Sequence, residues 1–271
     1  MKKMVKNLLL ALSLLWAGSG IAQAEDNSAY RYKWIGTFSK GTPYTNQALR
    51  YHLSWEDIAK EIKQHWAEGY SVTEIKYGNG KWVVLFSKGA KGYLQAYDVT
   101  GRWGSMSATI EKRWSEGYYL VAIEHGLSEW VAIFAKDTGY TNQAFERQKK
   151  LSNFQDKISK RWADGFEMID MEYGEGHWLG IFAKGITYKQ HAMSVRTDWK
   201  KFTYAISKNW ADGYLITDMK FGLGRWLGIF AKGTDYTQQT YETRSTIFAL
   251  ESVMRERAKE GYAITDLSEG W

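Results

Sequence analysis

Five tryptophans, Trp34, Trp82, Trp130, Trp178 and Trp226, stand 48 residues apart, with no insertion or deletion in any interval. Around each, one phrase recurs: KWIGTFSKGTPYTNQ, KWVVLFSKGAKGYLQ, EWVAIFAKDTGYTNQ, HWLGIFAKGITYKQH and RWLGIFAKGTDYTQQ. A second column keeps the same period, with Trp66, Trp114, Trp162 and Trp210 followed by Ala258 as its fifth member. A third pairs Gly69, Gly117, Gly165, Gly213 and Gly261 with the aromatic residue after each. So strict a period restricts the chain to an array of one supersecondary unit, either stacked or closed into a ring.

Each unit has a readable order. In SWEDIAKEIKQHWAEG, the residues Trp55, Ile58, Ile62 and Trp66 share one face of a 3.6-residue helix. Ser54 is placed as its N-cap, and Gly69 where a left-handed C-cap is needed. Three strand-like runs follow, as in YLITDMKF, WLGIFAK and QTYETR, with spacing that suits antiparallel hairpins. The unit is therefore read as helix–strand–strand–strand. The chain opens with second and third strands and closes with a helix and a first strand, so the two ends complement each other. The expected fold is mixed α/β: a closed five-fold α/β propeller, sheets inside and helices outside, with the N- and C-terminal segments completing one unit. In general plan this is similar to pentein-type propellers.

Residues 1–24 are read as a secretory signal peptide. Lys2, Lys3 and Lys6 lead into an apolar run, and Ala22-Gln23-Ala24 is a small-residue cleavage site. Residues 25–271 form the single five-repeat domain. Its expected location is exported, periplasmic or extracellular, with no transmembrane segment after cleavage. The formal charge of +6 falls to +3 once those three lysines leave. That mild excess gives no basis for nucleic-acid binding. The chain has no cysteine, so no disulfide and no thiol nucleophile is available.

The phrases KGTPYTNQ, KGTDYTQQTY, RWADGF and NWADGYLITDM resemble the uncharacterised repeat domain at the C-terminus of plant casein-kinase-like nuclear kinases, which also occurs alone in bacterial proteins. The matching positions are the Trp–acid–Gly–aromatic turn and the Lys-Gly…Tyr-Thr-Gln turn. The resemblance implies an interaction module without catalytic residues. The kinase signatures themselves are missing from the sequence.

The most constant polar position is Lys40, Lys88, Lys136, Lys184 and Lys232. Near it recur Tyr44, Tyr140, Tyr188 and Tyr236, with Gly92 in the second copy, and Gln47, Gln95, Gln143 and Gln239, with His191 in the fourth. Lys, Tyr and Gln gathered around an axis suit an anionic or polyhydroxyl ligand. The structural alternative is that the lysines cap strands or pair with carboxylates, the glutamines bond turn backbone and the tyrosines pack. An acidic column, Glu74, Asp170, Asp218 and Asp266 with Ala122 in the remaining copy, is expected to pair with the lysines. Another, Glu68, Glu116, Asp164, Asp212 and Glu260, precedes the C-cap glycine.

Enzyme templates fit poorly. The five histidines share no repeat position and show no metal spacing, and GNGKW, GEGHW and GLGRW are hairpin turns. The expectation is a monomeric, non-enzymatic binding module without cofactor or metal. Its partner would be a glycan, an envelope polymer or a protein. The alternatives are a structural envelope protein, or a hydrolase with an asymmetric carboxylate/His site.

Overall fold

The computed structural model describes residues 32–91 and 94–271. The expected signal peptide and Gly92 lie outside them. After β1 (Lys33–Lys40), four copies of strand, helix, strand, strand follow in the chain. The first is β2 (Asn46–His52), α1 (Trp55–Ala67), β3 (Ser71–Gly78) and β4 (Lys81–Lys88). The second is β5 (Gln95–Thr100), α2 (Trp103–Ser115), β6 (Tyr119–Gly126) and β7 (Glu129–Ala135). The third is β8 (Asn142–Gln148), α3 (Leu151–Ala163), β9 (Glu167–Gly174) and β10 (His177–Lys184). The fourth is β11 (Gln190–Arg196), α4 (Trp199–Ala211), β12 (Leu215–Gly222) and β13 (Arg225–Lys232). The chain ends with β14 (Gln238–Arg244), α5 (Ile247–Lys259) and β15 (Ala263–Gly270).

These strands make five antiparallel three-stranded sheets, ordered β2-β4-β3, β5-β7-β6, β8-β10-β9, β11-β13-β12 and β14-β1-β15. The expected hairpin between second and third strands does not form. The third strand instead crosses to the edge of the following sheet, as in the pairing of Gln47 with Ser87. The sheet unit is thus strand–helix–strand–strand, one strand out of phase with the sequence reading. The turn after each tryptophan strand explains the crossing. Gly89 adopts φ +84°, and a Cβ there would meet the carbonyl oxygen of Pro43 at 2.2 Å, so this turn is packed against the neighbouring one as the chain crosses. In the split unit β1 alone is borrowed from the N-terminal end, and it is the central strand between β14 and β15.

Each helix packs on its own three strands. The tryptophans that set the period, Trp34 to Trp226, are buried at 0–1% exposure. They sit with the predicted helix residues in five separate clusters, such as Ile58, Ile62, Trp82 and Phe86. Burying each such side chain contributes roughly 1.5–3 kcal/mol. Ser54 caps α1 by accepting the Asp57 N–H at 3.2 Å. The C-caps keep one form, as where Tyr70 N–H donates to His65 O at 2.9 Å. The acidic residue before each C-cap glycine also gains a partner from the last turn, as in Lys208–Asp212 at 3.0 Å. That pairing offsets its unfavourable place at the helix C-terminus.

Adjacent sheets are latched by the glutamine column. Gln95 on β5 and Gln143 on β8 each hold both backbone groups of one residue in the preceding sheet, Val72 on β3 and Leu120 on β6, at 2.7–2.8 Å. Gln239 holds Ile216, and Gln47 holds Ile264 near the C-terminus. The first strands β3, β6, β9, β12 and β15 touch in succession, and β15 touches β3. Among the described residues no helix is long and apolar enough to cross a membrane.

Candidate functional site

The strands that touch one another carry the site. Each has a register shift at the same place, as between Val72 and Glu74 opposite β4, and between Ile216 and Asp218 opposite β13. A bulge leaves one residue unpaired and re-aims its neighbours. Here the bulged residues Thr73, Val121, Ile169, Thr217 and Thr265 line a common cavity of about 370 Å³. So do the carboxylates that follow four of them: Glu74, Asp170, Asp218 and Asp266.

All four carboxyls are held above their ordinary pKa range, chiefly by burial. Glu74 is pushed up to about 8, against the attraction of Lys76, and Asp266 to about 6. Asp218 lies well above the usual carboxylate range, raised by burial and then by Asp266 and Asp170. Asp170 accepts the Ile123 N–H at 2.6 Å and the Met171 N–H at 2.8 Å. Asp266 accepts the Ser268 hydroxyl at 3.1 Å. Asp218 is 3% exposed and lines the cavity, where its carboxyl faces that of Asp266 and its Oδ2 meets no N–H or hydroxyl donor.

Two residues further along the same strands lies a second buried charged layer that sequence reasoning missed. Lys76 Nζ is 2.8 Å from Glu74 Oε1, 3.8 Å from Asp170 and 4.0 Å from Glu124. Lys220 Nζ lies 2.5 Å from Glu172 Oε2 and 3.2 Å from Glu124 Oε2. Both lysines are raised in pKa by these carboxylates, against the effect of burial. The signal was present as the period-2 alternation of strands. Residues 74 and 76 face the same way, as do 172 and 170, and 220 and 218.

The candidate residues divide into three groups. Tyr44, Tyr140, Tyr188 and Tyr236 all line the cavity. Burial raises their phenols, Tyr44 and Tyr188 to about 12; Glu74 adds to the rise at Tyr44, and the other three also feel the charge of tyrosines in the set. The glutamines are chiefly latches between sheets, and of them Gln95 alone reaches the cavity lining. His191, which replaces the fourth glutamine, stacks on Trp162 at 4.8 Å and bonds Glu167 at 2.5 Å.

The five lysines go elsewhere. The ammonium groups of Lys40, Lys88, Lys136, Lys184 and Lys232 lie over the rings of Tyr262, Tyr70, Tyr118, Phe166 and Tyr214, at 4.4–4.6 Å from the centroids. None of the five lines the cavity. The expected pairing of this column with the carboxylate column is therefore overturned. The two columns sit on different strands of a sheet, and the bulge turns the acids toward the shared cavity. The C-cap aromatic lies nearer to each lysine and offers its π-face.

No histidine is among the residues lining the cavity, although Asp170 is. Among the described residues no three His, Asp or Glu side chains are grouped so as to hold a metal ion. What the cavity presents is four buried carboxyls, hydroxyls on three of the bulged residues and four tyrosines, with Asp235 and Lys91 also in its lining. This is an arrangement for recognising a polar or positively charged group.

No curated protein matches the chain significantly. No solved structure does either. A family described as a domain of unknown function, DUF7477, matches twice in overlapping stretches, at residues 28–173 and 130–270. A match that repeats along the chain agrees with the internal period, and together the two stretches cover every sheet: the chain belongs to the DUF7477 family.

Proposed function

We propose that this chain is an exported, non-enzymatic binding module whose cavity takes an organic cation, such as a polyamine, an amino sugar or a quaternary ammonium. The observation that carries the proposal is Asp218, a buried carboxylate that lines the cavity with one oxygen unpartnered. An uncompensated buried acid is costly unless it is protonated or meets a positive partner. A cation entering past Tyr44, Tyr140, Tyr188 and Tyr236 gains the faces of aromatic rings and then the carboxylates beneath. An anionic ligand, the expectation from the lysine column, would meet five lining acids, Asp235 being the fifth, against Lys91 and none of the lysine column.

The architecture that supports this reading is a closed five-fold propeller. The latch from Gln47 to Ile264, the place of β1 between β14 and β15, and the contact of β15 with β3 all speak for closure. In such a ring the bulged strands surround the axis and the cavity is its funnel. Export rests on the basic and apolar start of the chain, from Lys2 to Ala24. A recognition module also agrees with the resemblance to the kinase-terminal repeat domain.

The test is a thermal-shift panel on residues 25–271 with spermidine, tetramethylammonium, a neutral oligosaccharide and polyphosphate. A ligand at 100 times its Kd adds about 2.7 kcal/mol, a shift of several degrees. Spermidine or tetramethylammonium shifts Tm, and polyphosphate does not. A shift with polyphosphate alone would overturn the proposal.

A further inference from the structure

Four of the five helices carry a tryptophan at their penultimate position, and the fifth carries Ala258 there. Three of the four indoles have the same partner. Trp66, Trp114 and Trp210 each donate Nε1–H to the Oε1 of the latch glutamine from the adjoining sheet, Gln95, Gln143 and Gln239, at 2.7–3.0 Å. In the fourth copy His191 replaces that glutamine, and Trp162 Nε1 is buried without a partner. The indole and the glutamine therefore form a matched pair.

In the split unit the glutamine is kept and the indole is not. Gln47 makes the usual backbone bonds, its Oε1 accepting the Ile264 N–H at 2.7 Å. An amide oxygen has two lone pairs, and in the other latches the second one takes the indole N–H. Where the ring stands in those copies, this one has a cavity of about 420 Å³. Its walls are Met254 and Ala258 of α5, the C-cap residues Gly261 and Tyr262, and Gln47. Arg255 stands at its edge. Tyr44 lines both this cavity and the central one.

We infer that the cavity beside Ala258 is a second binding site, which takes a planar aromatic group carrying an N–H donor, of the size of indole. The ring lies against Met254 and Tyr262 and donates to Gln47 Oε1, as Trp66, Trp114 and Trp210 donate to their own latches. A thioether and an aromatic wall both suit a flat π-system. The site is independent of the cation proposal, because its chemistry comes from the repeat itself.

The test is a titration of residues 25–271 with indole, followed by calorimetry and by chemical shifts of the Met254 methyl group. Saturable binding is expected, with 1-methylindole about five-fold weaker or worse for want of the N–H. Ala258→Trp supplies the ring from the chain, so it abolishes indole binding and raises Tm. Ala258→Leu narrows the cavity without filling it, and it weakens binding even if the tryptophan variant does not fold. No saturable binding up to the solubility of indole overturns the inference. So do equal affinities for indole and 1-methylindole, and so does unchanged affinity in either variant.

Discussion

The side-chain amide of Gln47 clasps Ile264 from 217 positions away, taking its N–H at 2.7 Å and returning a bond to its carbonyl at 2.9 Å. The same clasp joins Gln143 to Leu120, where the Trp114 indole adds a third bond at 2.7 Å. Replacing Gln143 by Leu strands two backbone groups and an indole N–H in a buried seam. The expected loss is about 2–4 kcal/mol, read as a lower urea midpoint with unchanged slope. Gln47→Leu strands no indole, and is expected to lose less, about 1–3 kcal/mol.

Stability depends on pH through the cavity acids. Glu74 and Asp266 have folded pKa values of about 8 and about 6, above their ordinary values of 4.5 and 3.8. The folded state therefore holds protons that the unfolded state has lost, and stability falls as pH rises. The window runs from about 4 to about 8, since the unfolded carboxyls titrate at its lower end and Glu74 at its upper. Tm measured across that window declines in the wild type. Glu74→Gln removes one of these contributions and makes the decline between about pH 6 and pH 8 shallower, with the raised Asp218 and Glu124 accounting for what remains.

The lysines over the C-cap rings serve packing. Lys232 Nζ sits 4.4 Å from the Tyr214 centroid and Lys88 Nζ 4.6 Å from that of Tyr70. Changing both to Met costs about 1–2 kcal/mol in total, by denaturant unfolding. Spermidine affinity, by contrast, stays at the wild-type value.

The strand β1 completes a sheet whose other two members come from the far end of the chain. Deleting residues 1–40 removes that central strand, along with the pairings of Phe38 with Thr240 and Ile264. The truncated protein is expected to lose its cooperative thermal transition. Adding a peptide spanning residues 32–45 restores it in a concentration-dependent way.

The repeat, the helix faces, the strands and the caps could all be read from the sequence, because each rests on local periodicity and a fixed spacing. Strand partnership could not. The run from Gln238 to Arg244 has the same alternation whether it folds back on β13 or crosses to β1, and the choice is made by turns packing against each other, as at Gly89 and Pro43. The site shows the same division. The Tyr column follows from the repeat and does line the cavity. The pairing of Lys76 with Glu74 follows from strand alternation, but the bulge before Glu74, which turns that face toward the cavity, leaves no mark in composition. The latch role of Gln95 needs knowledge of which strand edge lies opposite, and no local pattern carries that.

The most direct test of the cation site is calorimetric titration of residues 25–271 with spermidine at pH 8 and at pH 5.5. Deprotonation of Glu74 and Asp266 between these values leaves more negative charge in the cavity. Binding is therefore predicted to be tighter at pH 8, with protons released from the protein, and to be weakened by Asp218→Asn. Equal affinity at the two pH values in both proteins, or no heat of binding at either, would contradict a carboxylate-floored cation site.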